Sequence, residues 1–400
     1  MTNVRNYFKN KEKSNGKPAR DNYLEKIKSH RFMIFYRSIL ILILVAAVAA
    51  ALVIQWKNKV YTESVIVSSF EIASVHNRNI TPFAGSILTY SKDGASCIDA
   101  KGNAVWNETF EMQNPMVDIC QDTVAIGDYN GRNIYVMNTN SRLGQIITNK
   151  PIRSFCVASN GVVAVVLDDS DVTLIYLYNT DGEELVRFRT TMKDSGYPFR
   201  VAISPNGKLV SVSYLFVDSG ELKSSVAFYN FGEVGQNNTD HYVSGYDYLD
   251  VIVGYTHFLD DKTMFAVSDD RIMFFSGAEK PVSTATSLLS ENVQQIYYGK
   301  EHVGLIFNSL ESDSRYRLDV YNKSGQLIQT INFNMEYTDI VFDAGRVIIY
   351  NETDCQIYNM SGVEKYAGYF EKSVYTLLPT SSSYKYILVT QDSIDTIELK

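Results

Sequence analysis

The side chains best suited to chemistry in this chain are five histidines, four cysteines and three tight acidic clusters. Their spacing limits what they can do. His30, His76, His241, His257 and His302 are so dispersed that no two fall within five residues, so no helix presents a paired-histidine metal motif. Cys97, Cys120, Cys156 and Cys355 contain no CxxC pair, which removes the usual spacing of a structural zinc site. Each cysteine falls within a predicted strand. Cys120 and Cys156 occupy equivalent strands of adjacent repeats, and the sequence leaves open whether they pair or remain buried thiols. Asp168-Asp169-Ser170-Asp171, Asp260-Asp261 and Asp269-Asp270 are oxygen-rich turns of a kind calcium accepts. None has EF-hand spacing, and aspartate is common in tight turns for backbone reasons alone. There is no GxSxG elbow, Walker A loop or GxGxxG phrase. Paired carboxylates for glycoside hydrolysis need a defined separation that residues on different repeats do not reveal in sequence. No catalytic, cofactor-binding or metal-ligating residue is assigned on this basis.

The elements that position these side chains are repeats. Seven times between Gly102 and Gly362 an apolar strand, often ending Tyr-Asn, runs into a turn closing on glycine. The clearest copies end at Gly182, Gly325 and Gly362, and looser ones at Gly102, Gly144, Gly232 and Gly277. The period averages about 43 residues. A strand-built repeat of this length is the signature of a β-propeller, whose blades are four-stranded antiparallel sheets around a central channel. Abundant aromatics, 28 Tyr and 20 Phe, suit strands that pack on pleated faces. Asn-x-Ser/Thr triplets at Asn107, Asn237, Asn322, Asn351 and Asn359 mostly coincide with the repeated turn, so hairpin chemistry accounts for them.

The repeats divide into blades. In blade three, Ile152–Ala158 is predicted as the inner strand, followed by Gly161–Leu167, Val172–Tyr178, the turn Asn179–Gly182 and the outer strand Glu184–Arg189. The same order fits Val201–Ser213, then Val251–Ser268, then Asp339–Tyr350 with its turn at Ala344-Gly345. Val374–Leu378, Tyr386–Thr390 and Ile394–Leu399 supply only three strands before the chain stops. Residues 63–70 form a strand with no blade of its own, and pairing it with those three closes the ring. The expected fold class is therefore all-β, an eight-bladed β-propeller, with seven blades as the alternative, preceded by one N-terminal transmembrane helix.

That helix is Ser38–Trp56, 19 residues without a charge. At roughly 1.5 Å per residue it spans about one bilayer core. Residues 1–37 hold ten basic and three acidic residues, +7, and the remainder of the chain carries −15. The positive-inside rule then makes 1–37 a basic cytoplasmic tail, 38–56 an uncleaved signal anchor and 57–400 an extracytoplasmic propeller in the cell membrane. Asp21–Met33 is predicted as a further helix beside a disordered stretch, Lys9–Arg20. The acidic ectodomain argues against nucleic acid as a partner.

Ile98-Asp-Ala-Lys-Gly-Asn-Ala-Val-Trp106 resembles the repeat of pyrroloquinoline-quinone-type propellers, and Ser204-Pro-Asn-Gly-Lys208 resembles the turn of WD-repeat-like propellers. A basic tail, one span and a Tyr-Asn-rich ring together resemble a domain-of-unknown-function family of membrane-anchored propellers in Gram-positive bacteria. That resemblance implies the fold but brings no activity with it. A quinone cofactor pocket usually shows adjacent tryptophans or vicinal cysteines, and with only two Trp in the chain no cofactor is expected.

The expected function is a non-catalytic binding or scaffold module for a protein, a peptide or a cell-envelope glycan. Tyr197, Tyr246 and Tyr248, read as face-loop residues, are the candidate partner contacts. The interruptions Val217–Lys223 and Gly232–Tyr248 are the candidate ligand-facing insertions. An envelope-polymer hydrolase or lyase with a site at the channel mouth, or an extracellular sensor, is the alternative.

Overall fold

A computed structural model describes residues 19–57, 59–72, 78–169, 172–191, 196–218, 220–311, 313–343 and 345–400. Of the features singled out in the sequence, residues 1–18 of the tail, His76, Ser170 and Asp171, Ser219 and Ala344 lie outside them. The chain divides into two units, Met1–Val60 and Tyr61–Lys400.

Within the first unit Ala19–Lys57 is one continuous helix, so the two helical segments read from sequence are a single element. Within it Lys28–Leu52 is long and apolar enough to cross a membrane. Its apolar side chains from Phe32 to Leu52 are exposed, as a lipid-facing surface requires. Ser38 satisfies its hydroxyl within the helix by donating to the Ile34 carbonyl at 2.9 Å.

The second unit is eight four-stranded antiparallel sheets. Blades one to seven run from 79–109, 115–147, 152–191, 197–249, 253–288, 295–333 and 339–369, and in each the strands pair in chain order. Inner strands touch between blades two and three, three and four, four and five, and six and seven, and that of blade one touches that of blade eight. Blade eight alone is assembled from both ends of the unit. Thr376–Pro379, Lys385–Val389 and Ser393–Leu399 are joined by Ser64–Glu71, which pairs with the last strand from Ser64 opposite Leu399 to Glu71 opposite Ser393. Two further bonds, Thr62 N–H to the Lys400 carbonyl and Lys400 N–H to the Glu63 carbonyl, both 2.8 Å, fasten the seam.

Apolar residues on both faces of each sheet form the core between blades. Ala164, Val166, Ile175 and Phe188 of blade three pack on Ile203, Val210, Val212 and Tyr214 of blade four. Each such burial contributes roughly 1.5–3 kcal/mol against exposure.

The repeated phrase builds one turn. In blades one, three, six and seven its first residue is Asp99, Asn179, Asn322 or Asn359. Oδ1 of that residue accepts the backbone N–H four positions on at 2.9–3.0 Å. The closing glycine adopts positive φ, 78° at Gly182, which L-residues with a Cβ resist. A bulge precedes the turn in all seven repeats, for example between Leu177 and Tyr178. Gly144 departs from the expected pattern. Asn138 already caps the hairpin by accepting Asn140 and Ser141 N–H, and Gly144 sits inside the outer strand Arg142–Ile147. A Cβ there would meet the Thr180 carbonyl at 1.7 Å, so close approach of the next blade requires that glycine. In blade four the turn is replaced by an excursion with two short 3-10 turns, Gly235–Asn237 and Thr239–His241.

Candidate functional site

Inner strands bring together side chains that are far apart in sequence. A cavity of about 500 Å³ lies on the channel wall, lined by Thr81 and Pro82 of blade one, Val117–Ile119 of blade two, Ile296–Tyr298 of blade six and Asp339–Phe342 of blade seven, with Tyr90 beside them. Its polar side chains are two carboxyls, three phenols and the Thr81 hydroxyl. Asp118 accepts the Val157 N–H of blade three at 2.7 Å. Asp339 accepts the Ile340 N–H at 2.8 Å and the Tyr350 hydroxyl at 3.2 Å.

Burial governs how these groups titrate. Desolvation raises the Asp118 carboxyl to about 6, against the lowering effect of the Val157 and Ile119 amides. It raises Asp339 as well, again against its hydrogen bonds. Tyr255 and Tyr298, on blades five and six, are raised by burial first and further by the charge of Asp118, so these phenols lie within electrostatic reach of a carboxyl on blade two. His257 stacks on Tyr298 with ring centroids 4.0 Å apart, and burial lowers its imidazole to about 4. The inner strands of blades two and five thus hold an acid, Asp118, and a base, His257, that burial drives toward their neutral forms.

Residues 57–399 match the model of DUF5711, a family of unknown function. The chain belongs to the DUF5711 family. A comparison with curated proteins finds no match. Among solved structures, the DUF5711 chain is similar to Sqt1 from Saccharomyces cerevisiae, with 12% identity, a TM-score of 0.51, and 85% of this chain and 99% of that one covered. It is also similar to apo AztD from Citrobacter koseri, with 9% identity, a TM-score of 0.50, and 74% and 87% covered. BamB from Moraxella catarrhalis aligns at 13% identity and a TM-score of 0.49, with 84% and 100% covered. Likeness at these identities is likeness of fold, and the neighbours are propellers of the PQQ-like and WD-like kinds.

The DUF5711 ring distributes the residues marked in its sequence unevenly. Tyr246 and Tyr248 are not in a face loop but on the outer strand Tyr242–Leu249 of blade four. The Tyr246 hydroxyl donates to the Pro281 carbonyl at 3.3 Å and accepts the Ser283 N–H at 3.1 Å. Tyr248 lies under the Arg271 guanidinium, 5.8 Å from its ring, and burial raises its phenol to about 12. Tyr197 opens the inner strand of blade four and is 41% exposed. Of the candidate insertion Val217–Lys223, all but Ser219 is described, and those residues lie on the paired strands Leu209–Asp218 and Glu221–Asn230 and at Gly220 between them.

The acidic clusters are structural links. Asp261 accepts the Asn206 N–H at 2.9 Å, and Asp260 holds Lys323 at 2.9 Å, which also holds Glu301. With the hydroxyls of Thr123 and Ser159 donating to the Ser159 and Pro205 carbonyls, these bonds tie the hairpins of blades two to six to one another. Asp168 pairs with Arg153, and Asp270 with Arg271. The described histidines stay on separate elements, and no group of three or more His, Cys, Asp or Glu is placed to hold a metal among the described residues. All four cysteines are free.

Sequence reasoning missed Asp118, Asp339, Tyr297 and Tyr298. The available signal was a charged residue inside an otherwise apolar inner strand, as in Met116-Val-Asp-Ile-Cys120.

Proposed function

We propose that the chain is a single-pass membrane protein displaying a non-catalytic binding ring outside the cell, its ligand a protein, a peptide or an envelope glycan. The observation that carries this reading is the channel cavity, where blades one, two, six and seven present two carboxyls and three phenols to one space of ligand size. Those carboxyls are engaged by backbone amides and a phenol, an arrangement suited to holding a ligand. Exposed Tyr197 and Phe199 on blade four offer contact surface for a partner.

The anchor reading rests on the apolar stretch within Ala19–Lys57 and its charge asymmetry. Residues 1–37 form the cytoplasmic tail, 38–56 the span and 57–400 the external domain. Ser141→Cys, at an exposed hairpin position, tests the orientation. A membrane-impermeant maleimide is expected to label it in intact cells above the wild-type background. Labelling only after lysis overturns the external placement. Crosslinking from the full chain in its membrane tests the binding reading. Specific enrichment of an envelope protein or glycan is expected, and the absence of any such enrichment refutes it.

A further inference from the structure

Two carboxyls line the channel cavity, and the ring gives neither a cationic partner. Asp118 and Asp339 both line it, and among the described residues no lysine, arginine or histidine lies within ion-pair distance of either. Arg200 is a cation that acts on the channel phenol Tyr255, and its Nε donates to the Gly254 carbonyl at 3.0 Å. A carboxylate has about four lone-pair sites, and the hydrogen bonds to Asp118 and Asp339 leave acceptor capacity on both. The remaining wall is largely aromatic or apolar: Tyr90, Tyr297, Tyr298 and Phe342 with Ile296 and Ile340. Carboxylates among aromatic rings favour a cation with an apolar body, through charge-assisted hydrogen bonds and cation–π contact. A neutral hydroxyl ligand satisfies lone pairs but leaves the buried charge uncompensated, which is costly. At about 500 Å³ the cavity falls within the roughly 300–1,000 Å³ of small-ligand sites.

We infer that this cavity binds an organic cation, an ammonium or guanidinium group carried by a small molecule or by a partner's lysine or arginine side chain, with Asp118 and Asp339 as its counter-charges. The inference rests on the binding reading above and specifies its chemistry. Burial raises the Asp118 carboxyl, so a cation placed beside it would favour its charged form.

The test is calorimetric titration of the full chain in nanodiscs at neutral pH with agmatine, with a deca-lysine peptide and with neutral chitotriose. Asp118→Asn and Asp339→Asn are nearly isosteric, and a thermal melt of each reports whether it folds. Saturable agmatine binding that weakens tenfold or more in both folded variants supports the inference and identifies a small-molecule ligand. The same loss with the peptide alone identifies a side chain of a partner. If one variant fails to fold, the other decides. The inference is overturned if neither cation binds, or if cation affinity is unchanged in the variants. Chitotriose binding as tightly as agmatine overturns it too, but leaves the binding module standing, so the two readings fail separately.

Discussion

Tyr246 on the outer strand of blade four and Tyr298 on the inner strand of blade six are the same residue type in the same kind of sheet. Tyr246 has both sides of its hydroxyl used, donating to Pro281 and accepting from Ser283, and its ring lies 5.2 Å from Phe275. Tyr298 lines the cavity, stacks on His257 and feels the charge of Asp118. The difference lies in strand position. Tyr246 meets the next blade and is spent on packing, whereas Tyr298 meets the channel and stays 41% exposed. The rim contact of Tyr246 is thus complete and the channel contact of Tyr298 is not.

Breaking the rim tests that division most forcefully. Phe275 is fully buried, and its ring packs on Phe228 at 5.2 Å as well as on Tyr246. Phe275→Ala is expected to cost about 3–5 kcal/mol, through lost transfer energy and a cavity. Chemical denaturation reads the loss. Affinity for a channel ligand at a temperature where the variant is folded should stay within twofold of wild type. A large affinity change would show that rim and channel are not separable.

The channel has its own signature in pH. The Asp118 carboxyl is raised from 3.8 to about 6, so the folded state binds more protons than the unfolded state between those values. Its contribution to stability is fully present below about 3.8 and is lost as pH rises through 6. His257 runs the other way. Its imidazole is lowered from 6.5 to about 4, so its contribution is present above 6.5 and lost as pH falls through 4. Two groups of opposite slope share nearly one window and mask each other in the wild-type profile. Asp118→Asn should leave the histidine slope, making the variant lose stability on acidification from pH 6.5 to 4. His257→Gln should leave the aspartate slope, with stability falling as pH rises. The change across the window is on the order of 1–3 kcal/mol for each variant. Parallel pH profiles for the two variants would refute the assignment.

A smaller effect is expected from removing one completed rim bond. Tyr246→Phe keeps the ring and deletes the hydroxyl that serves Pro281 and Ser283. A loss of about 1 kcal/mol is expected from denaturation midpoints, with channel binding unchanged. No loss at all would mean that the rim contact is slack.

Much of the architecture was legible in the chain because its cause is local. Asn179, Asn322 and Asn359 cap turns with their own side chains, and Gly182, Gly325 and Gly362 supply the φ those turns need, so one blade's sequence encodes one blade's fold. Gly144 is not legible in the same way because its reason is non-local, the Thr180 carbonyl of the next blade. The channel site was hidden for a related reason. Asp118, Tyr298 and Asp339 share a wall only once eight blades have closed, and no spacing between them encodes that distance. Tyr246 and Tyr248 read as loop residues in the sequence because the excursion after Gly232 hides where the outer strand begins.

The cysteines offer the finest probe of the same contrast. Cys120 ends the inner strand of blade two, and its thiol is raised to about 12 by burial first and then by Asp118. Cys355 lies on the third strand of blade seven opposite Gly368 of the outer strand, and burial alone raises it. In the folded protein at pH 8 both should react slowly with a thiol reagent, since the thiolate is the nucleophile. Asp118→Asn removes the negative neighbour of Cys120 and lowers its thiol, while leaving Cys355 as it is. Mass spectrometry of the labelled chain should therefore show Cys120 gaining reactivity a fewfold and Cys355 none. Equal gains at both would report general loosening of the ring instead of a local charge, and the channel would lose its claim to a distinct electrostatic environment.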